Sequence, residues 1–523
     1  MELKTLDKIE GATIAGRTEM LRLGVAILFI VGVMLYAGVY ANNVPGSFLL
    51  VAAAVIGGYM AINIGANDVA NNVGPAVGSK TLTLGGAIVI AAIFESAGAI
   101  IAGGDVVTTI RKGIISPDIV KDLQTFVWIM MAALLAGALW LNIATAKGLP
   151  VSTTHSIVGG VLGAGIAAGG WQIANWGKLA EIAASWVLSP VLGGIIAALF
   201  LYFIKRAITY QKDKIVAAKK MVPILIGLMA WAFSTYLILK GLKKIWHADF
   251  LSASLTGFGI AFLIYLISRP LVSKAANGLK SDKESVNTLF TIPLICAAAL
   301  LSFSHGANDV ANAVGPLAAI YDAVITGDAS TEAPIPIWIM VVGAVGITVG
   351  LSLYGPKLIR KVGSEITELD RIRAFCIAMA ASITVIIASQ LGLPVSSTHV
   401  AIGAIFGVGF LREAIKSNYA EVIKDIELHH VDTDEEEVKA YLVVFDAASF
   451  DEKGEMLREL KKRRPGVVTI SKADRKNLRR EYREELVKRS AVIKIASAWI
   501  ITVPVSGLMA AILYFMFRGM LLP

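Results

Sequence analysis

The sequence predicts an all-α polytopic membrane protein of about 12 transmembrane helices, in two homologous repeats that contain broken or re-entrant helices. Three observations carry this fold class. Of 523 residues, 56% are hydrophobic and 17% charged, with a mean hydropathy of +0.70; soluble domains carry nearer a quarter charged. The apolar residues gather into runs of about twenty, the length a helix needs to cross a hydrocarbon layer about 30 Å thick. Two motifs recur in the same order in the two halves.

Apolar runs of helical length lie at 21–41, 47–64, 84–103, 126–146, 181–204 and 221–240. Further runs lie at 251–268, 289–305, 336–354, 372–391 and 491–517. Four Gly-rich, polar-punctuated stretches between them, 65–78, 150–169, 306–319 and 394–411, have the composition of interrupted helices. The run 21–41 has the length of a span and is expected to be a retained helix rather than a cleaved signal. The segment 412–490 is dense in Asp, Glu, Lys and Arg and must lie in water, as a charged linker or a small module. In it, YLVVF (441–445) and GVVTI (466–470) have strand-like composition and 452–463 helical composition.

The chain therefore divides into an N-terminal segment with an extra helix (1–46), a first transmembrane repeat (47–205) and connecting loops and helices (206–288). A second repeat (289–411), the charged soluble segment (412–490) and a C-terminal transmembrane helix (491–523) follow. The net charge of +9 could suggest nucleic acid, but Lys and Arg sit mainly in short connections such as 205–220 and 357–373. That placement is membrane topology signal, and both connections are expected on the cytoplasmic side, with no nucleic-acid partner. Cys296 and Cys376 lie far apart in apolar runs without metal-ligand spacing, so neither a disulfide framework nor a structural metal is expected.

GANDVANNVGP (65–75) and GANDVANAVGP (306–316) agree at ten of eleven positions. LPVSTTHSIVGG (149–160) and LPVSSTHVAIGA (393–404) form the second matching pair. Two motifs duplicated at nearly constant separation mean that a whole unit was duplicated. Interrupted helices at matching places in two halves point to a secondary transporter whose site lies at the repeat interface, with inverted repeats the favoured arrangement.

The first motif places Asn67, Asp68, Asn71 and Asn72, and in its second copy Asn308, Asp309 and Asn312, in apolar surroundings. An ionised carboxylate at membrane depth requires a partner, and neither motif contains Lys or Arg. The partner is then a bound cation, a proton or a group on another helix. If the segment is helical, Asn67 and Asn71 share a face, as do Asp68 and Asn72. Oxygen ligands suit a hard cation such as Na⁺, with Gly65, Gly74 and Pro75 freeing backbone carbonyls. One Asn alone could equally be interhelical hydrogen-bonding glue.

In the second motif, proline precedes Ser152, Thr153, Thr154 and His155, and in the other copy Ser396, Ser397, Thr398 and His399. Proline followed by hydroxyl residues signals a helix start, where free backbone N–H groups and hydroxyls make an anion site. The plainer reading is that the hydroxyls cap their own helices. The two histidines are expected to pack rather than to carry protons. Glu95 is a further acidic residue within an apolar span, a candidate cation or gating ligand with no counterpart in 339–350. Carboxylates beside an anion repel it by about 3 kcal/mol per charge pair at 5 Å and an effective dielectric near 20, so cations are required for anion binding.

These motifs resemble those of the PiT family of inorganic phosphate transporters, whose signature is a duplicated GAND[VT]AN. The likeness runs from about Gly57 to Leu411. It implies a symporter of about a dozen helices with inverted repeats and a homodimer in the lipid bilayer. It assigns cation binding to Asn67, Asp68, Asn308 and Asp309, with Na⁺ at Asp68 and Asp309. Phosphate falls to Ser152, Thr153, Thr154, Ser396, Ser397 and Thr398, which Asn71 and Asn312 join. The stretch 93–115 is most similar to sodium-coupled members, which favours Na⁺ over H⁺ as the coupling ion, with no other cofactor. Sulfate is the alternative substrate, and an anion channel the alternative mode. An intramembrane hydrolase would need one asymmetric constellation, whereas here every candidate group is duplicated, so no enzyme is expected. A multi-pass protein of a prokaryotic inner membrane follows. Ala313 stands where the first copy has Asn72, so the two cation sites are not expected to be equivalent.

Overall fold

A computed structural model describes residues 2–41, 46–116, 119–120, 122–147, 149, 151–242, 246–328, 334–365, 369–427 and 489–521. Among them the chain is helical, with one isolated β-bridge between Ile115 and Ala174. The first half contains α1 (Glu2–Ala41), α2 (Ser47–Asn67), α3 (Val69–Gly78), α4 (Leu84–Ala102) and α5 (Gly104–Lys112). It continues with α6 (Leu123–Ala146), α7 (Thr153–Gly169), α8 (Trp176–Ile204), α9 (Lys214–Tyr236) and α10 (Phe250–Ala275). The second half contains α11 (Lys283–Leu289), α12 (Thr291–Asp309), α13 (Ala311–Thr326), α14 (Ile337–Glu365), α15 (Arg371–Gln390), α16 (Ser397–Glu427) and α17 (Arg489–Leu521). Twelve stretches among the described residues are long and apolar enough to cross a membrane.

Helices begin where polar side chains can replace the missing intrahelical acceptors. Thr83, Asp122, Asn175, Asp213, Asp282 and Asp370 each accept a backbone N–H three residues on and start α4, α6, α8, α9, α11 and α15. The outer faces of α8 and α10 carry exposed Val187, Leu188, Val191, Leu199, Phe258 and Leu263. Such surfaces are stable only against lipid.

The two repeats exchange partners. Helix α2 of the first repeat packs on α14 of the second, and α12 of the second packs on α4 of the first. Both crossings are glycine contacts: a Cβ on Gly65 would lie 1.9 Å from the Ile347 carbonyl oxygen, and one on Gly306 would lie 2.1 Å from that of Glu95. Gly65 thus serves close backbone packing, a use beyond the freed carbonyls expected for it. In the same way α16 packs on α8 and α17 packs on α7. Gly407 meets the backbone of Gly194, and Gly163 meets that of Gly507.

Helix α17 therefore stands to α7 as α8 stands to α16. The C-terminal helix separated off at 491–523 is the structural counterpart of α8 and completes the second repeat. The division at Leu411 and Arg412 also does not coincide with a backbone boundary, because α16 runs on to Glu427. The strand-like and helical segments expected within 441–470, and Pro150, lie outside the described residues.

Candidate functional site

Both signature motifs interrupt a helix in the protein interior. Asp68 ends α2 and begins α3, and Val310 separates α12 from α13, each leaving one residue between two helical pieces. Pro75 and Pro316, which lack the N–H that continues a helical ladder, stand at matching places in α3 and α13. Asn67, Asp68, Asn71, Asn72, Asn308, Asp309 and Asn312 are all buried. Asp68 itself keeps right-handed helical dihedrals, φ −90° and ψ −33°, and its N–H bonds the Ile64 carbonyl.

The second motifs form the other wall. Ser152 is extended and its hydroxyl accepts the His155 N–H at 3.0 Å; Ser396 accepts the His399 N–H at 3.2 Å. Those two hydroxyls cap α7 and α16, as the plainer reading held. The next residues turn inward. Thr153 donates to Asp68 Oδ2 at 2.7 Å, and Ser397, its counterpart, donates to Asp309 Oδ2 at 2.7 Å. Thr398 donates to Asp68 Oδ1 at 2.8 Å and accepts from Asn71 Nδ2 at 2.8 Å. Asn312 Nδ2 donates to Thr153 and Thr154 Oγ1 at 3.0 and 3.2 Å. Thr154 donates to the Val395 carbonyl at 3.0 Å, tying the two helix starts together.

Asn67 Nδ2 donates to the Val151 carbonyl, and Asn308 Nδ2 to Ser389 Oγ and the Leu393 carbonyl. The amide nitrogens are thus spent on the scaffold. Among the described residues, no donor reaches the Oδ1 atoms of Asn67, Asn71, Asn72, Asn308 and Asn312, nor Asp309 Oδ1 or Glu95 Oε2. Buried oxygens left in this way are costly unless a cation takes them. One ligand atom each of Asp68, Asp309 and His305 lie within 4.8 Å of one another.

The arrangement is not symmetric. His305 stands with Nε2 3.0 Å from Asp309 Oδ2 and Nδ1 3.2 Å from Glu95 Oε1, and Asn72 Nδ2 donates to Glu95 Oε1 at 2.8 Å. The crossings of Gly306 with Glu95 and of Gly65 with Ile347 make Ile347 the counterpart of Glu95. The motif alignment pairs His305 with Ile64 and Asn72 with Ala313. Three polar residues beside Asp309 are replaced by three apolar ones beside Asp68. His305 was not among the residues expected at the site, although it lies four residues before Asp309, on the same helical face.

His155 and His399 pack by their rings. Their centroids are 4.5 Å apart, edge to face, with Trp186 at 3.8 Å from His155 and Trp499 at 3.6 Å from His399. Trp186 belongs to α8 and Trp499 to α17, so the four rings join the two exchanged helices at the helix starts of the site.

Such a polypeptide, with two interrupted helices and two helix starts meeting at the interface of exchanged repeats within a bundle of spans, has the architecture of a secondary transporter. The chain matches the phosphate transporter family over residues 64–510 and belongs to it. It is 51% identical to the "Putative phosphate permease" of Helicobacter pylori strain J99 over 98% of each chain. A Thermococcus kodakarensis protein of the same description is 39% identical over 72% of this chain and 92% of its own. A solved structure described as the sodium-dependent phosphate transporter is similar to it with a TM-score of 0.73 and 31% identity. That similarity covers 90% of this chain and 99% of the other. The protein is accordingly a multi-pass membrane protein of a family of phosphate transporters, not of enzymes.

Proposed function

We propose that the protein imports inorganic phosphate by symport with Na⁺, and that the cations act by releasing the hydroxyls of the helix starts for the anion. The observation that supports this is the bonding of Asp68 by hydroxyls from both repeats, Thr153 and Thr398. While those O–H groups point at the carboxylate, they cannot serve an anion. A Na⁺ on Asp68 and the free Asn67 carbonyl oxygen would take the carboxylate lone pairs and cancel its charge. The Thr153 and Thr398 protons could then turn to phosphate. Ser397 and Asp309 repeat the device in the second half, with Asn308 as the amide ligand.

Charge supports the same order of events. Two carboxylates within 4.8 Å repel each other and any incoming anion by about 3 kcal/mol per pair at an effective dielectric near 20. Cation binding reverses the sign, and by linkage phosphate strengthens cation binding equally. Thr153, Thr154, Ser397 and Thr398, with Asn71 and Asn312, are the proposed phosphate ligands. Ser152 and Ser396 contribute by holding the helix starts, and Glu95 completes the cation site beside Asp309. Inverted repeats, a homodimer and an inner-membrane location belong to the same reading.

The test is uptake of labelled phosphate into proteoliposomes under a Na⁺ gradient, a proton gradient, and a Na⁺ gradient with excess unlabelled sulfate. Uptake driven by Na⁺ and resistant to sulfate is expected. Uptake driven equally by protons alone, or flux that ignores every cation gradient, would overturn the coupling.

A further inference from the structure

A cavity of about 620 Å³ lies between α1 and the bundle, bounded by α1, α2, α6 and α14, and reaches Asn63 and Ala66 on α2. That volume is within the roughly 300–1,000 Å³ usual for small-molecule sites. Its wall changes character along α1. Glu19 and Arg22 line it where the span Glu19–Ala41 begins, and Ala26, Ile27 and Ile30 line it further in. Eight residues of helix separate Arg22 from Ile30, about 12 Å of rise, so the charged end lies at the membrane surface and the apolar end within the hydrocarbon.

Helix α1 does not close this space. Leu23 and Ile27 line the cavity and are 56% and 54% exposed. The void is therefore open to the bilayer through the α1 wall. At its polar end the Thr145 hydroxyl is buried and, among the described residues, has no hydrogen-bond partner. Glu19 and Arg22 bond each other at 2.6 Å with both side chains still accessible.

We infer that this cavity is a binding site for a membrane phospholipid with an aminoethyl phosphate headgroup, phosphatidylethanolamine. One cationic and one anionic group side by side match the charges of that headgroup: Arg22 takes the phosphate and Glu19 the ammonium. A choline headgroup offers no N–H to Glu19, and a glycerol headgroup offers only neutral hydroxyls, without the positive charge. One acyl chain lies along Ala26, Ile27 and Ile30. The same polar groups could instead wet an aqueous vestibule, which the experiment separates.

The full-length protein is released from nanodiscs of equal parts phosphatidylethanolamine, phosphatidylcholine and phosphatidylglycerol, and its retained lipids are weighed by native mass spectrometry. Phosphatidylethanolamine is expected to be retained about tenfold over the others, the effect of one charge-assisted hydrogen bond. Arg22→Gln should remove that preference, and Ala26→Trp, which fills the cavity, should remove the bound lipid. Retention of the three lipids in equal measure, or retention unchanged in both variants, overturns the site. Modification of Ala26→Cys by a membrane-impermeant thiol reagent in vesicles, with Cys296 and Cys376 replaced by Ser, would show water there and also overturn it.

Discussion

Thr398, at the start of α16 in the second repeat, donates its hydroxyl to Asp68 in the broken helix of the first, 2.8 Å away across 330 positions of sequence. Thr154, which occupies the matching place in the first repeat, gives its proton to the Val395 carbonyl instead. Asp68 is thereby held by hydroxyls of both halves, and Asp309 by Ser397 and the His305 ring. A scaffold of two repeats has been given two unlike carboxylates.

Asp68→Asn is expected to abolish cation-driven phosphate uptake. Thr398→Val, which removes a hydroxyl proposed to donate to phosphate, a bond to a charged group worth about 2 kcal/mol, should lower uptake at limiting phosphate about thirtyfold at every Na⁺ concentration. Initial rates across a Na⁺ titration check both; unchanged rates in Asp68→Asn would remove the central element of the coupling.

The adjacent serines of α16 should separate by readout. Ser396 caps the helix, so Ser396→Ala is expected to cost about 1 kcal/mol of stability, seen as a lower melting temperature. Ser397 faces Asp309, so Ser397→Ala should raise the phosphate KM with little change in melting temperature. Identical behaviour of the two variants would contradict the assignment.

The halves should respond unequally at equivalent places. Glu95→Gln replaces a carboxylate that His305 and Asn72 face, and is expected to cut Na⁺-driven uptake at least tenfold, the effect of about 1.4 kcal/mol. Ile347→Val, at the matching position, should transport near the parental rate. Equal losses in both would mean that the asymmetry has no functional weight.

Close helix crossings give a prediction of stability alone. A Cβ on Gly407 would lie 2.0 Å from the Gly194 carbonyl oxygen. Backbone cannot yield as a side chain end can, so Gly407→Ala is expected to destabilise by about 1–3 kcal/mol. Thermal unfolding followed by size-exclusion chromatography measures it, with Gly259→Ala, where a Cβ meets nothing within 4 Å, as the control.

Spans, interrupted helices and motif residues were legible because each is written in local composition: apolar run length, Gly and Pro punctuation, and polar residues in apolar surroundings. The partners of those residues were not. Glu95 looked unpaired because Asn72 and His305 reach it from other helices, and a crossing between repeats leaves no trace in either run. His305 could have been found, since sliding the first copy over SFSHGAND sets Ile64 against a histidine four residues before an aspartate. The second repeat was closed too early for a different reason. Residues 428–488 separate α17 from α16, and the local signs of its kinship with α8 are slight: Trp499 against Trp186 and Gly507 against Gly194.

The place of α17 bears on how the protein is made. Chains emerge and fold from the N-terminus onward, yet α7, which packs on α6 at once, meets α17 only when residues 489–521 have been synthesised. Until then Gly159 and Gly163, whose added side chains would strike Val503 and Gly507, leave a bare groove in the early half. The helix start that carries Thr153 cannot reach its final setting before α17 has been made. A ribosome stalled after Glu427 would hold a nascent chain with every proposed ligand present and the groove on α7 still open.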